Sequence, residues 1–394
     1  MPLREQTEAQ GHSVRAMYLY SGMADVARET GDEELAEVCR RLWSNTVNRR
    51  MYVTGAIGSS EWGEAFTFDY DLPNDTIYGE TCAAIGLVFF ARRMLSLEAK
   101  SEYADVMERA LYNGVISGMQ LDGRSFFYVN PLEVLPEASL KDYAKRWVAV
   151  QRQKWFGCAC CPPNIIRLIS SLEDYVYSVN SNDLFVHLYV GGSLETEINQ
   201  KTVRMETVTD YPWDGKVLFT IDADEDADFA LRLRVPGWCQ KYTVKVNGEL
   251  LDPAVTDGYA VISRTWRKGD QVEFVMEMKP QIIRANPHIY EDAGKIAVSR
   301  GPLIYCLEEA DNSDNLHNIR LGSEPCFTEE WKPGKLGGIV ELKSSGLKET
   351  DEGWGETAYS AVKTISTQLV TLTWIPYYAW ANRTPGEMRV WIRR

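Results

Sequence analysis

The hydrophobic period of this chain changes once, and that change limits the folds open to it. Apolar side chains recur at helical spacing up to about residue 178 and alternate from about Asp183 onward. Ser13 to Thr30 carries Val14, Met17, Tyr18, Met23, Val26 and Ala27 at helical intervals, and Gly31-Asp32 stops it. Glu33 to Arg49 repeats the pattern with Leu35, Val38, Leu42 and Trp43. Thr81 to Leu95 is dense in Ala, Ile, Leu and Phe, which predicts a helix buried on several sides. Lys100 to Met119 and Ile165 to Ser178 read as a fourth and a fifth helix. Such helices with short or irregular connections predict helical hairpins laid side by side. Two connections, Tyr52 to Tyr78 and Leu121 to Gly157, are too long to be mere links; a short strand is predicted at Ser125 to Val129.

Beyond Asp183, Phe229, Leu231, Leu233 and Val235 point one way, and Ala230, Arg232 and Arg234 the other. Val272, Phe274, Met276 and Met278 alternate with Glu273 and Glu277, and Asn247-Gly248 signals a hairpin. This predicts an antiparallel β-sandwich. A second β region runs from about Ala297 to Arg394, with the polar stretch Glu309 to Gly338 read as loop. The chain therefore reads as multidomain, α then β, with expected divisions at 1–178, 179–290 and 291–394.

Charge excludes some partners. A formal net charge of -14 argues against nucleic acid or an anionic membrane as partner. No apolar run reaches membrane-spanning length, and Met1 to Gln6 has no signal-peptide core. Eight cysteines, three of them within residues 158–161, fit a reducing compartment, and a cytoplasmic location is expected.

Those three cysteines carry the chemistry. Cys158-Ala159-Cys160-Cys161-Pro162-Pro163-Asn164 presents two adjacent thiols that do not readily bond each other, and the prolines enforce the exit from the turn. Upstream, Glu80-Thr81-Cys82 offers a carboxylate and a thiol two residues apart. Zinc accepts thiolates and carboxylates in a tetrahedral shell, and Glu80, Cys82, Cys160 and Cys161 would fill one, leaving Cys158 over. The plainer reading is that free cysteines pack as small buried hydrophobes. Glu64 follows Gly63 in an acidic, aromatic loop, where nearby rings would disfavour its charged form. With Asp69 or Asp71 it would make a two-carboxylate glycosidase. His12 opens a helix and reads as a metal ligand, a substrate contact or a cap; His187 alternates with core residues and reads as structural.

Several segments together resemble glycoside hydrolase family 127, known for β-L-arabinofuranosidases. They are Gly11-His12-Ser13-Val14-Arg15, Gly63-Glu64-Ala65-Phe66, Glu80-Thr81-Cys82-Ala83-Ala84, Cys160-Cys161-Pro162-Pro163-Asn164, and Ser299-Arg300-Gly301-Pro302-Leu303. The resemblance implies part of an (α/α)6 barrel followed by antiparallel β-sandwich domains. It implies zinc on Glu80, Cys82, Cys160 and Cys161, Cys160 as nucleophile and Glu64 as general acid/base. His12, Glu108 and Tyr128 match positions of substrate contact. The implied substrate is an L-arabinofuranosyl oligosaccharide or glycoconjugate. The family carries further helices ahead of the Gly-His-Ser-Val-Arg segment, so this chain is expected to match a C-terminal portion of a member. Two other readings stand beside it: an inverting enzyme with a structural zinc, and a non-catalytic carbohydrate-binding or assembly piece. Exposed sandwich edges make a homodimer a further expectation.

Overall fold

The computed structural model describes residues 2–223, 225–322 and 325–394. Helices come first. α1 (Ser13–Thr30) ends where Gly31 adopts a left-handed φ of 67°, and Asp32 caps α2 (Glu33–Arg49) by accepting from the Leu35 N–H. α3 (Thr81–Leu97) is buried around most of its circumference, as its composition predicts. It packs most closely on α1, and a Cβ at Gly86 would come within 2.8 Å of the Met17 Cβ. The shared core includes Met17, Tyr20, Leu42, Phe90 and Met107.

The predicted helix from Lys100 to Met119 changes pitch twice. α4 (Ser101–Arg109) widens to a π-turn over Ala110–Val115 and tightens to a 3-10 turn over Ile116–Gly118. The cause lies at Asn113, whose side chain reaches out of the helix. It donates to Pro302 O (2.9 Å) and accepts from the Ile304 N–H (2.8 Å), so tertiary bonds compete with the regular ladder. Two expectations are corrected here. Ser125 to Val129 forms only isolated bridges, because Phe126 pairs with Met119 and Gln153 while Val129 pairs with Glu80. The fifth helix is also shorter and earlier. After α5 (Pro136–Lys141), α6 spans Cys161–Ile169, and a single turn at Glu173–Val176 leads into the strand Tyr177–Val179. Ser170 and Ser171 end α6 by bonding back to Ile166 O (2.7 Å) and Arg167 O (3.0 Å).

Two sheets follow, with strands in the expected two-residue period. One runs in spatial order Gly192–Ile198, Lys201–Thr209, Lys216–Ala223, Asp270–Met276, Tyr242–Val246 and Glu249–Leu251. The other centres on Ala227–Arg234 between Tyr259–Trp266 and Asp183–Val186, the last of which is parallel to it. Phe219, Ile221 and Phe274 of the first sheet share a core with Leu231, Leu233 and Trp266 of the second. Asn247 and Gly248 both take positive φ in the hairpin between Tyr242–Val246 and Glu249–Leu251, as their sequence predicts.

The C-terminal sheet is built on the long pair Ile339–Thr350 and Ser366–Pro376. It also takes in Glu133–Val134 from the long loop of the helical region, paired with Met388–Arg389. The stretch read as loop, Glu309 to Gly338, contains strands Ile319–Arg320 and Thr328–Lys332 and a helical turn at Glu309–Asn312. Its strands are too polar and short for alternation to reveal them. Asn74 adds a further tie to the helical region, its amide donating to Asp292 at 2.7 Å.

Candidate active site

Two helix N-termini meet beneath a cleft of about 810 Å³. Glu80 stands at the N-cap of α3 and Cys82 in its first turn; Cys160 stands at the N-cap of α6, with Cys161 and Pro162-Pro163 in the first turn. Proline is tolerated there because those N–H groups have no intrahelical partner. The positive ends of both helix dipoles face the cluster and favour anions. Thr81 fixes the α3 start. Its hydroxyl donates to Phe127 O (2.9 Å) and accepts from the Asn130 amide (2.9 Å).

Ligand atoms of Glu80, Cys82, Cys160 and Cys161 lie within 4.8 Å of one another. The Sγ atoms of Cys160 and Cys161 are 3.8 Å apart, and Cys160 Sγ is 3.3 Å from Glu80 Oε1. With Zn–S near 2.3 Å and Zn–O near 2.0 Å, a tetrahedral shell has edges of roughly 3.8 Å and 3.5 Å. Glu80 Oε2 is buried and has no hydrogen-bond partner, which leaves it free to coordinate an ion. The residues therefore fit zinc. The four acidic groups crowd one another. Burial, then the neighbouring Cys160, pushes the Glu80 carboxyl up to about 8. Hydrogen bonds from Cys160 and Cys161 hold the Cys82 thiol well below its ordinary value, while the same contacts and burial push Cys161 up.

Glu64 faces this cluster from the opposite loop. It sits in a one-turn 3-10 helix, Trp62–Glu64, with left-handed φ of 71° at Gly63 and 52° at Glu64. Such a backbone stores strain and is held by its surroundings. Ser13 Oγ donates to Glu64 O (3.1 Å) and Tyr78 Oη to Glu64 Oε1 (3.0 Å), while His12 Nε2 lies 2.6 Å from Glu64 Oε2. His12 is the N-cap residue of α1, and its buried Nδ1 has no partner. Tyr128 also lines the cleft, its hydroxyl kept protonated by burial and by Glu80.

The structure thus brings together His12, Glu64, Glu80, Cys82, Tyr128, Cys160 and Cys161, and corrects the reading of Glu108. Glu108 does not line this cleft. It is 1% exposed and accepts from Arg234 Nη2 (2.5 Å), Tyr211 Oη (2.5 Å) and Trp238 Nε1 (3.2 Å). Neither Asp69 nor Asp71 supplies a second carboxylate. Burial raises the Asp69 value, but bonds from Arg49, Arg50 and Asn45 outweigh it and hold it at about 2. Asp71 meets Tyr290 (3.4 Å) outside the cleft. His187 is structural, placed between Ser178 Oγ (2.7 Å) and Tyr259 Oη (2.8 Å). Sequence reasoning missed Tyr78, Arg15 and Asn164. The signal for Tyr78 was its position two residues before Glu80; Asn164 stood beside the cysteines.

A helical region that sets the His12–Glu64 pair above a Cys3Glu cluster, followed by β sheets, matches one class of glycoside hydrolase. The chain belongs to glycoside hydrolase family 127. Three family descriptions match it in succession: the β-L-arabinofuranosidase GH127 catalytic domain over residues 1–174, the GH127 middle domain over 183–278, and the family 127 C-terminal domain over 280–393. It is 42% identical to a non-reducing end β-L-arabinofuranosidase of Bifidobacterium longum subsp. longum, over 100% of this chain and 61% of that protein. A solved GH127 β-L-arabinofuranosidase from Geobacillus stearothermophilus T6 superposes with a TM-score of 0.97 at 49% identity, over 100% of this chain and 62% of that one. A second GH127 β-arabinofuranosidase gives 0.90 at 42%, over 100% and 61%. The chain spans about three-fifths of the length of these relatives.

Proposed function

We propose that this protein is a retaining, exo-acting β-L-arabinofuranosidase with Cys160 as nucleophile and Glu64 as general acid/base. The observation that carries the reading is the convergence of Glu80, Cys82, Cys160 and Cys161 beside the His12–Glu64 pair at one cleft. Glu80, Cys82, Cys160 and Cys161 would hold the ion. Zinc bound there supplies positive charge that keeps Cys160 a thiolate at neutral pH.

The chain's own groups then act in two steps. Cys160 sulfur attacks the anomeric carbon and forms a C–S bond as the C–O bond to the leaving group breaks. Glu64, protonated, gives its proton to that departing oxygen. Glu64, now a carboxylate, takes a proton from water; the water oxygen attacks the same carbon, the C–S bond breaks, and the thiolate returns. Two inversions keep the configuration. Tyr78 and His12 hold Glu64 by its two oxygens, and Tyr128 lines the same cleft as a substrate contact.

On this reading the helical region is part of an (α/α)6 barrel, the later sheets are sandwich domains, and the divisions fall near 178 and 290. The eight free cysteines support work in a reducing, cytoplasmic setting. The test uses an aryl β-L-arabinofuranoside followed by NMR. Wild type should release β-L-arabinose first, Cys160→Ser should abolish turnover, and Glu64→Gln should lose turnover while keeping zinc. Initial release of the α anomer, or full activity in Cys160→Ser, would refute the assignment.

A further inference from the structure

A second cavity, of about 290 Å³, lies where all three parts of the chain meet. The end of α4 forms one wall with Asp105, Glu108 and Arg109. Trp238, in the turn after Ala227–Arg234, forms another. Gln281 and Ser299, from the paired strands Pro280–Ile283 and Lys295–Arg300, close it. Gly301 and Pro302 also line it, so three residues of the Ser299-Arg300-Gly301-Pro302-Leu303 motif, which the cleft chemistry does not use, border this cavity.

Its polar groups are only partly satisfied. Among the described residues the half-buried Arg109 guanidinium makes no hydrogen bond or ion pair, although Asp105 and Glu108 lie close enough to act on its charge. Ser299 is 6% exposed and its hydroxyl has no partner. Gln281 gives its amide N–H to Trp238 O (2.7 Å), which leaves its carbonyl oxygen as an acceptor. These free donors and acceptors face a cavity that solvent reaches, where a ligand or ordered water can bond to them.

Charge decides what kind of ligand fits. Arg234 bridges Asp105 (2.6 Å) and Glu108 (2.5 Å), and Arg109 is the second cation beside them. Two cations and two anions sum to zero. An anionic ligand would leave the junction negative, and a cation would face Arg109. A neutral molecule with several hydroxyls accepts from Arg109, exchanges bonds with Ser299, donates to Gln281 and the part-exposed Asp105, and lies against Trp238. The volume is at the small end for ligand pockets, which run from about 300 Å³, so the ligand is no larger than a monosaccharide.

We infer that this three-way junction is a second, non-catalytic carbohydrate site that takes a single neutral sugar such as a pentose. The inference does not depend on the reading of the cleft. It is tested by calorimetric titration of the zinc-loaded protein with L-arabinose and with D-xylose, and by soaking crystals with L-arabinose. Sugar density in the junction is expected. Arg109→Met and Ser299→Leu should each weaken this site by about tenfold or more, the loss of one bond to a charged group or the filling of the space. Hydrolysis of the aryl substrate should stay at the wild-type rate in both. Ordered water alone in the soaked junction, or titrations unchanged in both variants, would overturn the inference. Sugar in the junction with no sugar and no turnover at the cleft would sink the proposed function and leave this site standing.

Discussion

Replacing Glu108 separates a structural carboxylate from a substrate contact, two roles that make opposite demands. Glu108 and Arg234 are 1% and 0% exposed, and the carboxylate receives three hydrogen bonds, from Arg234, Tyr211 and Trp238. Glu108→Ala leaves Arg234 buried with Asp105 as its only carboxylate partner, at 2.6 Å. Removing one member of a buried ion pair destabilises by about 3–5 kcal/mol, because the remaining charge stays out of water. Asp105 still compensates part of that charge, and Trp238 borders a cavity that water can enter, so the lower half of the range is expected. Glu108→Gln keeps an acceptor but loses the charge, and should cost about 1.5–3 kcal/mol. Urea denaturation of the zinc-loaded protein, followed by far-UV circular dichroism, reads both values. In the folded protein KM for the aryl substrate should stay near wild type, because the side chain lies outside the cleft. A several-fold rise in KM with an unchanged urea midpoint would refute this argument and restore Glu108 to the substrate.

Cys82→Ala should remove one of four zinc ligands and lower bound metal well below one per chain by mass spectrometry, whereas Cys158→Ala, outside the four-ligand group, should leave it unchanged. Zinc uptake should release protons near pH 7, because burial and then Cys160 hold the Glu80 carboxyl at about 8. Affinity should therefore rise with pH through about 8, and the raised Cys161 thiol carries the rise further; titrations in buffers of different ionisation enthalpy count the protons, and a count of zero would contradict the crowded cluster. Burial pushes the Asp292 carboxyl up to about 6. The folded state then binds the proton more tightly than the unfolded state, so stability falls as pH rises from about 4 to about 6. Asp292→Asn removes that dependence and, by keeping the bond to Asn74, should stabilise the protein at pH 8 by about 2–3 kcal/mol in thermal or urea unfolding.

The Cys3Glu cluster, a group that could hold a metal ion, was legible in the sequence because its residues come from two short segments, each at the start of a helix with its own composition signal. Glu80-Thr81-Cys82 precedes an apolar helix, and Cys160-Cys161 precedes two prolines that suit only the first turn. Glu108 was not legible. Helical spacing shows which face a residue shares, but not which distant element covers that face. Arg234 fails for the same reason: alternation places it opposite Leu233, and nothing local says that α4 lies over that side. The π-turn at Ala110–Val115 was hidden as well, since its cause is a pair of bonds between Asn113 and residues some 190 positions away.

Those same bonds suggest why the β regions matter to a site built wholly from the helical one. The π-turn and the 3-10 turn after it form a spacer between the C-terminal sheet and the start of α3. On the sheet side, Asn113 is fixed to Pro302 and Ile304. Arg152 clamps Ser117 O (2.8 Å), Trp380 O (2.6 Å) and Tyr378 O (3.0 Å) together. On the ligand side, Gly118 lies so close to Thr81 that a Cβ would come within 2.6 Å, and Ser117 Oγ donates to Asn130 Oδ1 (2.9 Å), whose amide holds Gly79 and Thr81. Thr81 stands between Glu80 and Cys82. The spacing of Glu80 and Cys82 is thus set by contacts that reach the C-terminal sheet through one helix of altered pitch. A regular α-helix there would point Asn113 elsewhere, break the link to Pro302, and leave the Glu80–Cys82 segment held from one side only.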